Sequence, residues 1–106
     1  MNDEMTTAEE CEQLARGKLI SESARIPWQD LQRFFANGTA IFVAPALDMV
    51  EAAYQISVDN AVLVQKWQAG GLLGQVTDRQ AIAWLESGVE VWSVVVRPWV
   101  LVQPVD

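Results

Sequence analysis

The chain has 106 residues, 51% of them apolar, with 7 basic against 14 acidic side chains and a net charge of -7. That length suits one domain with a modest core, and the acidic balance works against binding nucleic-acid phosphates or anionic lipid heads. There is no histidine and one cysteine, which excludes an internal disulfide, a histidine-based triad and a structural zinc site.

Met1–Thr6 reads as a flexible lead. The acidic, polar start lacks the apolar stretch of a signal peptide. No apolar run approaches the roughly 20 residues of a membrane span. A cytoplasmic address without a membrane partner is the expectation. Thr7-Ala8-Glu9-Glu10 has the spacing of a capping box. The helix it opens should reach about Lys18, with Ala8, Cys11, Leu14, Ala15 and Leu19 inward, Cys11 packing as a small hydrophobe, and Glu9, Glu10 and Glu12 as an acidic outer face. Ile20–Arg25 either continues that helix or turns. Pro27 fits a first helical turn, and the helix through Asn37 presents Trp28, Leu31, Phe34 and Phe35. Asn37-Gly38 stops it.

Thr39–Ala44 reads as a buried strand, ended by Pro45. Asp48-Met49-Val50-Glu51 is a second capping box. Its helix places Val50, Ala53, Tyr54 and Ser57 or Val58 on one face. Asp59 or Asn60 caps a further helix, Ala61–Ala69, with Leu63, Val64 and Trp67 inward, and Gly70-Gly71 breaks it. Leu72–Val76 is a short strand. Thr77-Asp78-Arg79-Gln80 is a third capping box, opening a helix to Ser87 that should bury Ala81, Ile82, Trp84 and Leu85 before Gly88 ends it. Glu90–Val96, Arg97-Pro98 and Trp99–Gln103 close the chain as a strand system.

These elements predict a single α+β domain over residues 1–106, a sheet of roughly three to four strands packed with about five helices. The alternative is a small α/β layer containing a strand–helix–strand unit, with Leu72–Val76 parallel to Glu90–Val96.

The residues supply little chemistry. Asp48 and Glu51 share a helix face near its N-terminus, as a carboxylate pair for a cation or acid–base work would, but a capping box accounts for both. Gly70–Gly74 lacks the lysine and spacing of a phosphate-binding loop. Pro98 removes a ladder donor and holds Arg97 extended. An inward Arg97 would need a carboxylate, with Asp48, Glu51 and Glu90 as candidates. Tyr54, Trp67 and Trp84 could line an aromatic pocket with Arg97 or Asp48 as its polar anchor. No catalytic residue, metal ligand set or cofactor is assigned.

The closing strand is the strongest feature. In one extended run Val91, Val95, Trp99 and Leu101 point one way, and Trp92, Val94, Val96, Val100 and Val102 the other. Either helices cover both faces, or part of the strand is an interface, with Trp92, Val94, Val96, Trp99 and Val100 as its candidates.

Three segments, "IPWQDLQRFFANG" (Ile26–Gly38), "APALDMVEAA" (Ala44–Ala53) and "VTDRQAIAWLESGVEVWSVVVRPWVLVQ" (Val76–Gln103), resemble a bacterial family of small proteins, domain-of-unknown-function family 2288. The similarity spans about residues 10–103 and is most distinctive at Trp84-Leu85, Trp92 and Arg97-Pro98-Trp99. It implies a single-domain bacterial protein and carries no activity, cofactor or site residue.

The expectation is a non-catalytic interaction or scaffold domain, homodimeric through its C-terminal strand and open to a protein partner. A small-molecule binding module with an aromatic pocket is the first alternative. A carboxylate-based, magnesium-dependent enzyme is the second.

Overall fold

The computed structural model describes residues 8–105. The expected lead and Thr7 of the first capping box lie outside them. Helix α1 spans Ala8–Glu22, past the expected stop at Lys18. A four-residue strand, β1 (Ala24–Pro27), follows; the sequence reading has no counterpart for it. Pro27 ends this strand and leads into a 3₁₀ turn, Trp28–Leu31, before the short helix α2 (Gln32–Ala36).

Then come β2 (Ala40–Val43), α3 (Met49–Ser57), α4 (Ala61–Ala69), β3 (Leu73–Gln75), α5 (Asp78–Ser87), β4 (Glu90–Val96) and β5 (Trp99–Pro104). The caps read from sequence act locally. Asp48 Oδ1 accepts from the amides of Val50 and Glu51, and Asn60 Oδ1 from Leu63. Thr77 and Gln80 form the full reciprocal box, and Gly88 closes α5 in the left-handed conformation, which glycine adopts without steric cost.

The five strands form one mixed sheet in the order β1-β4-β5-β2-β3. The fold is therefore α+β as expected, with five strands rather than three or four, because the short and mostly exposed edge strand β1 adds to the four segments read as strands. The expected parallel pair is not formed: β3 lies at the edge, antiparallel to β2, while β4 lies between β1 and β5. The parallel pair is instead β2 with β5, Ile41 opposite Leu101.

Val96 opposes Trp99, so Arg97-Pro98 is a two-residue hairpin turn, its peptide cis. The reversal regroups the side chains. Val94, Val96, Trp99 and Leu101 share one face, whereas the extended-run reading placed Trp99 and Leu101 with Val91 and Val95.

Both faces are covered. One carries Leu19, Val43, Leu47, Met49, Ala52, Ala53, Leu73, Val94 and Leu101 beneath α1, α3 and α4. The other carries Val91, Val100 and Val102 with Trp28, Leu31 and Ala81 beneath the 3₁₀ turn, α2 and α5. Trp28 is fully buried, stacks edge-on to Trp84 at 5.1 Å, and donates from Nε1 to the Ala81 carbonyl at 3.1 Å. This two-layer cover accounts for most of the apolar residues on both sides of β4 and β5; Val95, 52% exposed, and Trp92, 37% exposed, stay at the surface.

Two helix faces differ from expectation. On α1, Leu19 is the one buried residue and Ala8, Cys11 and Leu14 are exposed. The helix packs on α3 through Leu19 and through Arg16, which reaches Glu51 and Tyr54, a polar contact that hydrophobic periodicity does not reveal. On α5, Ala81 is buried and Trp84 half-buried, but Ile82 and Leu85 face outward.

Candidate functional site

Three features lie on the α1/α3/α4 side of the sheet. The first is a polar network. Arg16 donates to Glu12 at 2.7 Å and pairs with Glu51 across the α1–α3 contact. Its guanidinium lies 4.4 Å from the Tyr54 ring centre, a cation–π distance. Glu51 also accepts from Gln55 at 2.8 Å, and Gln55 accepts from Asn60 at 2.9 Å. The hydrogen bond from Arg16, then that from Gln55, holds Glu51 below its ordinary carboxylate range. The bonds from Glu51 and then Glu12 raise Arg16 further above its already high value. Every member is occupied, so the network fastens α1 to α3 and leaves no group free for chemistry.

The second is a depression of about 550 Å³ around Trp92, walled by Ile20, Pro45, Met49 and Val50. It brings together two residues singled out from sequence, Trp92 and Asp48. Its polar groups are committed to the protein: Asp48 caps α3, and Gln103 Nε2 donates to the carbonyls of Ala44 and Leu47 at 2.9 and 2.7 Å. Arg25 lies over the Trp92 ring at 5.9 Å and pairs with Glu90 at 3.4 Å.

The third is a groove of about 530 Å³ where α4 stands away from the β2–β3 edge of the sheet. Its floor is Ile41, Ile56, Val64, Leu73 and Trp99. Its rim is Asp59, Gln65, Gln68 and Gln75. Gln75 donates to the Gly38 carbonyl at 3.0 Å. The side chains of Asp59, Gln65 and Gln68 make no hydrogen bond among the described residues. Asp59 sits just past the end of α3 with φ of 59°, where glycine is the usual occupant. The size and the apolar floor with a few polar groups are those of a small-molecule site.

The family described as "Protein of unknown function (DUF2288)" matches residues 14–104. The chain belongs to the DUF2288 family. The NMR solution structure of PA1075 from Pseudomonas aeruginosa is similar to it at 37% identity, with a TM-score of 0.78, over 96% of this chain and 94% of that one. No curated protein matches it. The relationship covers both sheet faces and the groove of this DUF2288 domain.

The structure distributes the other sequence candidates as follows. Val94 and Val100 are buried inside the chain, and Trp92, Val96 and Trp99 keep some exposed surface. The aromatic trio is split by the sheet: Tyr54 and Trp67 pack on one core cluster, Trp84 on the other with Trp28 and Phe42. They cannot line one pocket. Arg97 is exposed in the hairpin turn and pairs with none of Asp48, Glu51 and Glu90. Among the described residues no three acidic or cysteine side chains gather as metal ligands, and no helix is long and apolar enough to cross a membrane. The groove's rim has no counterpart among the residues singled out from sequence as site candidates. Its one local signal is the glutamine pair three apart on α4, which shares a helix face.

Proposed function

We propose that this DUF2288 domain is a non-catalytic binding module that takes a small neutral or cationic molecule with a flat apolar body in the Trp99 groove. The observation that carries the reading is the convergence of uncommitted polar side chains over an apolar floor. Asp59, Gln65 and Gln68 have no hydrogen-bond partner among the described residues, whereas the polar groups beside Trp92 are already used. The rim carries one carboxylate and no cation, and the chain's charge is -7, so a phosphate or carboxylate ligand is disfavoured. Amide side chains both donate and accept, which suits a heterocycle or an amide.

Two other readings have less support. Self-association through the C-terminal strand meets β5 paired on both edges, between β4 and β2. A magnesium-dependent carboxylate mechanism would need Asp48 and Glu51 to converge, yet one caps a helix and the other holds Arg16.

The test is an amide chemical-shift titration with free nucleobases, aromatic amines and amino-acid amides. Shifts are expected to cluster at Asp59, Ala61 and Gly74, with a change in tryptophan fluorescence. Ala61→Trp, placed at the exposed groove mouth, should abolish both without unfolding the protein. Shifts confined to other surfaces, or no shift with any of the three classes, would discard the reading.

A further inference from the structure

Helix α5 presents an apolar stripe that the fold does not use. Ile82 is 56% exposed and Leu85 48%, although Ala81 and Trp84 between them serve the core. The stripe forms one wall of a cleft of about 220 Å³ against Phe35 of α2. Gln32, also in the cleft wall, has its amide nitrogen buried without a hydrogen-bond partner among the described residues, an uncommon state for a polar group in a finished surface. Two exposed charges, Arg79 and Glu86, flank the stripe on one side, two helical turns apart. Neither makes an ion pair among the described residues.

This pattern is self-complementary. Turned end for end about a two-fold axis near Ala83 and Trp84, the stripe meets itself with Ile82 opposite the partner's Leu85. The flanking positions then meet with their order reversed, so Arg79 lies within about 3 Å along the axis of the partner's Glu86, an offset the two long side chains span, and Glu86 stands likewise to the partner's Arg79. Antiparallel helices bring like flanks together in this way, and an isologous contact uses the same patch twice. We propose that α5 is the interface of a two-fold homodimer of this chain, with Ile82 and Leu85 at its centre and the two reciprocal Arg79–Glu86 pairs at its rim. The occupant is a second copy because a helix whose charges run from basic to acidic along one flank is matched by its own reverse. The central β5 strand takes no part.

Sedimentation velocity across a dilution series tests it with four proteins: wild type, Arg79→Glu, Glu86→Arg and the double variant. The wild type should move as a monomer–dimer equilibrium. Each single reversal sets like charges opposite each other and should weaken the dimer roughly tenfold, about 1.4 kcal/mol. The double variant restores opposite charges in both pairs and should recover the dimer. Leu85→Glu should give a folded monomer, checked by circular dichroism, since Leu85 is half outside the core. A wild type that stays monomeric throughout would overturn the proposal. So would a dimer that both single reversals leave unchanged, or one that the double variant fails to rescue.

Discussion

Glu51 is the residue whose role depends most on structure beyond its own neighbourhood. Local rules predict it as the reciprocal half of a cap with Asp48. Its carboxylate instead meets Arg16, 35 residues earlier, because a charge-assisted bond outweighs a neutral amide contact. Asp48 was legible from sequence because its partners are two and three residues away. The Arg16 pair was not, since nothing near either residue names the other. A carboxyl that is more acidic folded than unfolded adds stability in full above its unfolded value, and that stability is lost as pH falls through the folded value. Glu51 is shifted in that direction. Urea unfolding of wild type and Glu51→Gln should therefore show the wild type more stable at neutral pH. The gap should close as the pH is lowered through the acidic range. A gap that is constant with pH would mean the pair adds nothing beyond packing.

Among the elements, those with both a cap and a stop were legible. Helix α5 has the Thr77–Gln80 box at one end and Gly88 at the other, and its bounds follow from sequence almost to the residue. Thr77→Ala removes the hydroxyl that accepts from the Gln80 amide at 3.1 Å and should cost about 1 kcal/mol, read as a lower midpoint in chemical denaturation with an unchanged slope. Strand β1 was not legible. Of its four residues only Ile26 turns inward, and Ala24, Arg25 and Pro27 are exposed. Such an edge strand exists because β4 offers it a ladder, with Ile26 opposite Val91; no pattern of its own announces it. The inner face of α1 is hidden for a related reason. Its contact with α3 is made by Arg16 as much as by Leu19, and apolar periodicity cannot register a polar seam. The groove rim was equally hidden, because Asp59, Gln65, Gln68 and Gln75 converge only once α4 and β3 are placed.

At the scale of the molecule, two clusters on opposite faces share one sheet, and β5 contributes to both: Leu101 to one, Val100 and Val102 to the other. They should unfold together. Leu101→Ala removes a fully buried side chain and should cost about 3 kcal/mol. Trp28, on the far face, should report the same shifted midpoint as backbone circular dichroism. Separate transitions at the two probes would mean the faces are independent. Fold class and helix count were legible at this scale, but strand order was not. β3 and β4 are separated by one helix, which suggests a crossover between neighbours; the crossover instead links an edge strand to the other side of the sheet. The position of β5 has a consequence for how the protein is made. It is the third strand in space and the fifth in sequence. A chain leaving the ribosome from its N-terminal end first can pair β2 with β3 and β1 with β4, and these two half-sheets have nothing to join them until β5 arrives. Until then each presents an open apolar edge, the kind of surface on which nascent chains aggregate and chaperones act.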